Sequence, residues 1–338
     1  MLIVAGPVGA ASHDGGSHPE RPARVGAAMA GIADLRLGDE LVSVPVSPAM
    51  PDQLARVHSP GYLEELAAFA RRGGGSLDPD TYVAADSWDT ALLAAGAGLA
   101  AVDALAARGT GAAFVAARPP GHHAERDRGM GFCLVNNIAV AAAELVARGE
   151  RVLIVDWDVH HGNGTQSIFW NEPSVLYVST HQWPLYPGTG APDECGGPDA
   201  PGLTVNVPVP PGATGDVLRL ALDEVAGPVV RAFSPDWVLV SCGFDAHRDD
   251  PLAELALSSS DFAVLADAVA GFAPRPGRVV LFLEGGYRLE AVQRSVAATV
   301  SALLGDPFRP EPPTIGGPGT EAVRAAGALR QRVLGATA

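Results

Sequence analysis

Short apolar runs rich in β-branched and aliphatic residues recur along the chain, each the length of a strand rather than of a helix. They lie at 112–116, 152–155, 174–181, 203–207, 237–241 and 279–283, and the opening run Met1-Leu2-Ile3-Val4-Ala5 adds an edge strand. Helical spacing fills the stretches between them, at about 25–32, 62–72, 87–107, 137–147, 216–233 and 260–272, with Ser87 placed as an N-cap. Gly73-Gly74-Gly75-Ser76 predicts a flexible turn. Continuously apolar strands belong to a sheet covered on both faces. The succession strand, loop, helix, strand across 112–155 implies parallel pairing with a right-handed crossover. The prediction is an α/β protein with one domain over 1–305, built on a central, mostly parallel sheet flanked by helices. Residues 306–338 form a Pro/Gly-rich tail whose terminal surface helix, over 321–334, packs on or near the same domain.

Polarity arrives where the strands end. After 152–155 the chain reads Asp156-Trp157-Asp158-Val159-His160-His161-Gly162-Asn163-Gly164. In an extended segment Asp156, Asp158 and His160 leave the same side of the backbone, and carboxylates converging with an imidazole suit a divalent metal. Gly162 and Gly164 are expected to let the backbone turn tightly behind them. Three other apolar strands end in His122-His123, in Asp245 and in Gly285-Gly286-Tyr287. In an open parallel α/β sheet, that edge is where ligands bind. If the strands are neighbours, Asp158, His160 and Asp245 supply three ligands and leave a position open, as in a catalytic rather than a structural metal site. The alternative is that these groups cap strands and satisfy one another. The loop at 12–25, with His13, His18, Arg21 and Arg24, reads as a solvated, capped loop. Asp78 and Asp80 sit on a further loop, and the Gly/Pro-rich segment at 186–202 is long enough to line a site.

Composition narrows the chemistry. The net charge of −15 and a pI near 4.9 argue against a nucleic-acid partner and favour a cationic substrate. The sequence contains no lysine, which excludes Schiff-base chemistry and a phosphate-binding P-loop. Cys133, Cys195 and Cys242 are far apart and form no CxxC pair, so neither a disulfide framework nor a cysteine zinc site is indicated. With no basic leader and no apolar window of membrane-spanning length, the expectation is a cytoplasmic protein without a membrane partner.

The motifs Arg118-Pro119-Pro120-Gly121-His122-His123, Gly131-Phe132-Cys133, Asp156 through Gln166, Tyr186-Pro187-Gly188-Thr189-Gly190, Gly243-Phe244-Asp245 and Glu284-Gly285-Gly286-Tyr287 together resemble the zinc-dependent histone deacetylase family. They occur in that family's order, closest to its class II and bacterial amidohydrolase branch. The resemblance implies the arginase–deacetylase fold, with Asp158, His160 and Asp245 as ligands of zinc, or alternatively ferrous iron. It makes His123 the general base and then acid, His122 an orienting partner and Tyr287 the donor to the oxyanion. Asp156, Ser179 and Thr180 resemble an inner potassium site, and Arg24 the arginine of an inner channel associated with acetate release. Gly131, Phe132 and Tyr186 match the tunnel that takes the acyl-lysine chain, Tyr186 standing where phenylalanine is usual. Asn163 stands where class I members carry aspartate, which is expected to leave His123 less basic.

At the mouth, Leu252 replaces the carboxylate of polyamine-selective relatives, which favours acyl-lysine or another uncharged surrounding. Asp80 is either a rim carboxylate or a turn-forming residue. The function implied is removal of acetyl or short acyl groups from acylated lysine. The alternatives are an acetylpolyamine or small-molecule amidohydrolase, a silent acyl-lysine-binding protein and a two-manganese ureohydrolase; an oligomer is compatible with all of these.

Overall fold

The computed structural model describes residues 1–306 and 308–337. The seven predicted apolar segments and one further strand pair into one sheet: β1 (Leu2–Val8), β2 (Leu41–Val44), β5 (Ala112–Ala117), β6 (Val152–Asp156), β7 (Val175–Gln182), β8 (Thr204–Val209), β9 (Trp237–Cys242) and β10 (Val279–Leu283). A separate antiparallel hairpin joins β3 (Gly75–Ser76) to β4 (Tyr82–Val83). The order across the large sheet is β2-β1-β5-β10-β9-β6-β7-β8, and every neighbouring pair is parallel. Parallel strands bury both faces, so alternate residues of one strand serve two cores. Leu153, Val155, Val238, Val240 and Leu281 pack on one side, and Val152, Ile154, Trp237, Leu239 and Phe282 on the other. Each such side chain contributes about 1.5–3 kcal/mol by burial, which makes the central strands the stiffest part of the molecule.

Several expectations change. β1 is interior, and the edge belongs to β2, a four-residue strand that its sequence did not reveal. β5 and β6 are parallel but not paired, because β10 and β9 lie between them. Of the expected turn at 73–76, Gly73 does turn the chain, while Gly75 and Ser76 form the first arm of the β3–β4 hairpin. Ser87 is the first residue of its helix, Ser87–Arg108, and Asp86 holds the N-cap position. The Ser87 Oγ accepts instead from the Ala84 amide at 2.7 Å and lies 2.6 Å from His13 Nδ1. This helix also corrects the reading that no apolar window reaches membrane-spanning length: within its 22 residues lies an 18-residue window of mean hydropathy 1.7, most of it buried inside the protein. Its apolar surface faces β1, β5 and the helix Asn137–Ala147. The helix expected over 216–233 is interrupted by a π-helical turn, Ala221–Ala226, directly before the segment that opens with Pro228, whose ring removes a backbone donor.

The helix Leu289–Leu303 was not foreseen, and it packs against Ala23–Asp34 and Ser259–Ala270. In the tail, Glu311 accepts from the Ser259 amide at 2.9 Å and Thr314 donates its amide to Asp261 at 3.0 Å. The terminal helix Thr320–Thr337 lies over β8, where buried Arg330 donates to the carbonyls of Gly202 and Thr204.

Candidate active site

The four strands whose ends carry reactive residues, β5, β10, β9 and β6, are consecutive in the sheet, so their carboxyl ends meet at one place. β6 stops at Asp156, and beyond it the two-residue alternation no longer applies. Asp156 therefore parts from Asp158 and His160. Its Oδ2 lies 3.0 Å from His122 Nδ1 and accepts from the Tyr177 hydroxyl at 3.2 Å. Asp158, His160 and Asp245 close on one point, with ligand atoms all within 4.8 Å of one another. His160 Nδ1 lies 3.1 Å from Asp158 Oδ1 and 3.3 Å from Asp245 Oδ2. Backbone amides fix the carboxylates: Gly285 donates to Asp158 Oδ2 at 2.8 Å and Val159 to Asp245 Oδ1 at 3.0 Å.

Two features show that this set fits a cation. Asp245 Oδ2 is buried and makes no well-aligned hydrogen bond, its near neighbour being His160 Nδ1 at 3.3 Å, an arrangement that is costly for an anion unless something positive meets it. A Cβ on Gly285 would run into that oxygen, and one on Gly243 into Asp158 Oδ2, so glycine keeps both approaches clear. Burial disfavours a charged His160, yet its hydrogen bonds to Asp158 and Asp245 outweigh that and raise it to about 10. Gly162 and Gly164, expected to let the backbone turn tightly, have no positive φ. Their role is close approach, since a Cβ would strike Asp156 and the Ala124 carbonyl respectively.

The tandem histidines have opposite surroundings. Burial works against a charged His122, but Asp158 and Asp156 prevail and raise it to about 10. Burial, then the neighbouring His122 and His160, push His123 well below its ordinary value, so it is neutral. His123 Nδ1 lies 2.8 Å from Asn163 Oδ1, which leaves Nε2 for the cavity. The Tyr287 phenol is driven well above its usual range, first by burial and then by the charges of Asp245, Asp158 and Asp250 against Arg24. It stays protonated and able to donate. His161 takes no part in the metal set; it lies 2.8 Å from Thr189 Oγ1 and 3.0 Å from Gln166 Oε1, holding the 186–202 loop.

These groups form the floor of a cavity of about 240 Å³ whose walls are Phe132 and Tyr186 and whose mouth carries Asp80, Leu185 and Leu252. Phe132 adopts a left-handed φ of 67°, beside Gly131 at 55°. A Cβ at 131 would strike the His123 ring, so glycine is needed there twice over. Four residues that support this cavity were not foreseen. Thr81 Oγ1 accepts from the Phe132 amide at 3.1 Å, and the His18 ring stands edge-on to Phe132 at 4.6 Å. Asp250 accepts from the amides of both Tyr287, at 2.7 Å, and Leu252, at 3.0 Å. Glu125 accepts from Asn163 Nδ2 at 2.7 Å. The turn at 78–81 is made by Asp78, whose Oδ1 accepts from the Asp80 and Thr81 amides, and Asp80 Oδ1 accepts from the Thr81 hydroxyl at 3.3 Å.

The 12–25 loop is solvated only in part, with Asp14, Gly15, Gly16 and Ser17 exposed. His13, Glu20 and Arg24 are buried, and Arg118 clamps Glu20 at 2.7 and 2.6 Å. Arg24 donates to Glu20 and to the carbonyls of Gly286 and Glu284, and its guanidinium covers the Tyr287 ring at 4.9 Å. Asp156 and Ser179 are register partners at the ends of β6 and β7.

The family description "Histone deacetylase domain" matches residues 18–303. The chain belongs to the histone deacetylase family. It is 39% identical over 295 residues to a probable deacetylase of Archaeoglobus fulgidus, covering 86% of this chain and 82% of that one. It is 38% identical over 314 residues to a histone deacetylase-like amidohydrolase of Pseudomonas aeruginosa, covering 90% and 81% respectively. The crystal structure of the HDA15 HD domain superposes with a TM-score of 0.88 at 33% identity, over 99% of this chain and 95% of that one. Membership in the histone deacetylase family fits the single α/β domain on a mostly parallel sheet.

Proposed function

We propose that the protein is a metal-dependent deacetylase that hydrolyses the linear amide of an acetylated or short-acylated lysine side chain. The observation that supports it best is the meeting, on one cavity lining, of the neutral His123, the protonated Tyr287 and His160, with Asp158 and Asp245 closing on His160 directly behind it. Asp158, His160 and Asp245 would hold the ion, with zinc suiting their nitrogen and oxygen donors. When bound, it supplies Lewis acidity to the amide carbonyl and to a water molecule. His123 takes a proton at Nε2 from the attacking water and returns it to the departing amine. His122, charged against Asp156, places an imidazolium beside the negative charge that develops on the substrate. Tyr287 donates its hydroxyl to the same oxyanion. The sum is amide plus water to carboxylate plus protonated amine.

Phe132 and Tyr186 flank the methylene chain, and Leu252 offers an apolar face at the rim where polyamine-selective relatives carry a carboxylate, although Asp80 stands at the same mouth. Asp156, Ser179 and Thr180 are assigned to a potassium ion behind the floor, and Arg24 to the inner end of the cavity. The test is a parallel assay of ε-acetyl-lysine peptide, trifluoroacetyl-lysine and N-acetylspermidine with the zinc-loaded protein. Acetyl-lysine peptide should turn over with the higher kcat/KM. Equal or better hydrolysis of acetylspermidine would overturn the argument from Leu252 in favour of a polyamine substrate.

A further inference from the structure

His123 can act as the base in only one of its two neutral forms. To take a proton at Nε2 it must hold its hydrogen on Nδ1, and the group facing Nδ1 decides which form prevails. That group is an amide. Asn163 presents Oδ1 to Nδ1 at 2.8 Å, but a half-turn about its last bond would present NH2 instead. The flipped amide would donate to Nδ1 and move the hydrogen to Nε2, blocking the base.

The far side of Asn163 settles the choice. Its Nδ2 donates to Glu125 Oε1 at 2.7 Å and lies 3.4 Å from Met130 Sδ and 3.5 Å from the His123 carbonyl oxygen. All three are acceptors, and a carboxylate only accepts. Glu125 is held in turn through its backbone, by its amide donating to the Arg128 carbonyl at 2.8 Å and its carbonyl lying 2.9 Å from His58 Nδ1. We infer that Glu125 is a positioning residue: it fixes the orientation of the Asn163 amide and, through it, the Nδ1–H form of His123. Resting on the deacetylase reading of the site, this gives the chain His123–Asn163–Glu125 the work that a single aspartate would do without help, since a carboxylate presents oxygen whichever way it turns.

The test is a cycle of Glu125→Gln and Asn163→Asp in the full-length, zinc-loaded protein. Glutamine can turn either face of its amide to Asn163, so Glu125→Gln should lower kcat about tenfold or more, the usual cost of losing an orienting partner, while KM stays nearly unchanged. In the Asn163→Asp background two carboxylates face each other, and Glu125→Gln should there raise kcat. Nitrogen-15 spectra of the histidines give a readout independent of turnover: His123 should show a protonated Nδ1 in the unaltered protein and a mixture of forms in Glu125→Gln. Equal losses in both backgrounds, no loss in either, or unchanged His123 spectra would each overturn the inference. A His123→Ala control separates the two levels. Full turnover by that variant would sink the base assignment itself, whereas its inactivity alongside an indifferent Glu125→Gln would sink only the role of Glu125.

Discussion

The floor and the mouth of the cavity are held by different means. On the floor, Asp156, Asp158 and Asp245 are buried at the ends of adjacent central strands or just beyond them, and backbone amides fix Asp158 and Asp245. At the mouth, Tyr186 and Leu252 are 37% and 36% exposed and stand on loops. A buried strand end cannot move without disturbing two cores, whereas an exposed loop can exchange side chains at little cost. The chemistry is thereby anchored where change is expensive, and the choice of substrate lies where it is cheap. Floor substitutions should lower turnover of every substrate, and mouth substitutions should change the ranking of substrates.

The largest effect is expected for Tyr287→Phe. Removing one oxyanion donor costs about 10²–10³-fold in kcat, and the loss should be equal for acetyl-lysine peptide and acetylspermidine. A loss confined to one substrate would move Tyr287 from the floor to the mouth. Next comes Gly285→Ala, which drives a methyl group into Asp245 Oδ2. Metal affinity should fall by about 10–100-fold, as when a ligand loses its orientation, which isothermal titration with zinc would measure. Unaltered affinity would mean that Asp245 is not a ligand. The smallest effect is that of Leu252→Glu, which should raise the acetylspermidine to acetyl-lysine ratio of kcat/KM about two- to fivefold, the worth of an exposed ion pair. A drop in kcat on both substrates would show that mouth and floor are not separable.

The floor was more legible in the sequence than anything that supports it. Asp158, His160, Asp245, the tandem histidines and Tyr287 are rare residue types directly after apolar strands, a pattern that survives without knowledge of the fold. The spacing rule nevertheless placed Asp156 with Asp158, because it assumed an extended backbone past the residue where β6 ends. The supporting residues left no such trace. Thr81 meets the Phe132 amide from 51 positions away, and Asp250 meets that of Tyr287 from 37. Glu125 acts through Asn163, 38 positions on. Each is an ordinary polar residue whose partner only the folded chain brings near. The Glu20–Arg118 clamp, closed across 98 positions, made a buried network of what reads locally as a polar loop. β2 escaped notice for a different reason: four residues at a sheet edge carry too little pattern to stand out.

The most direct test of the floor is a zinc titration of the metal-stripped protein while hydrolysis of ε-acetyl-lysine peptide is followed. Activity should be absent at the start, rise in proportion to added zinc and level off at about one ion per chain, as three ligands with an open position require. Turnover that persists without metal, or that levels off only at two ions per chain, would contradict a single catalytic ion on Asp158, His160 and Asp245.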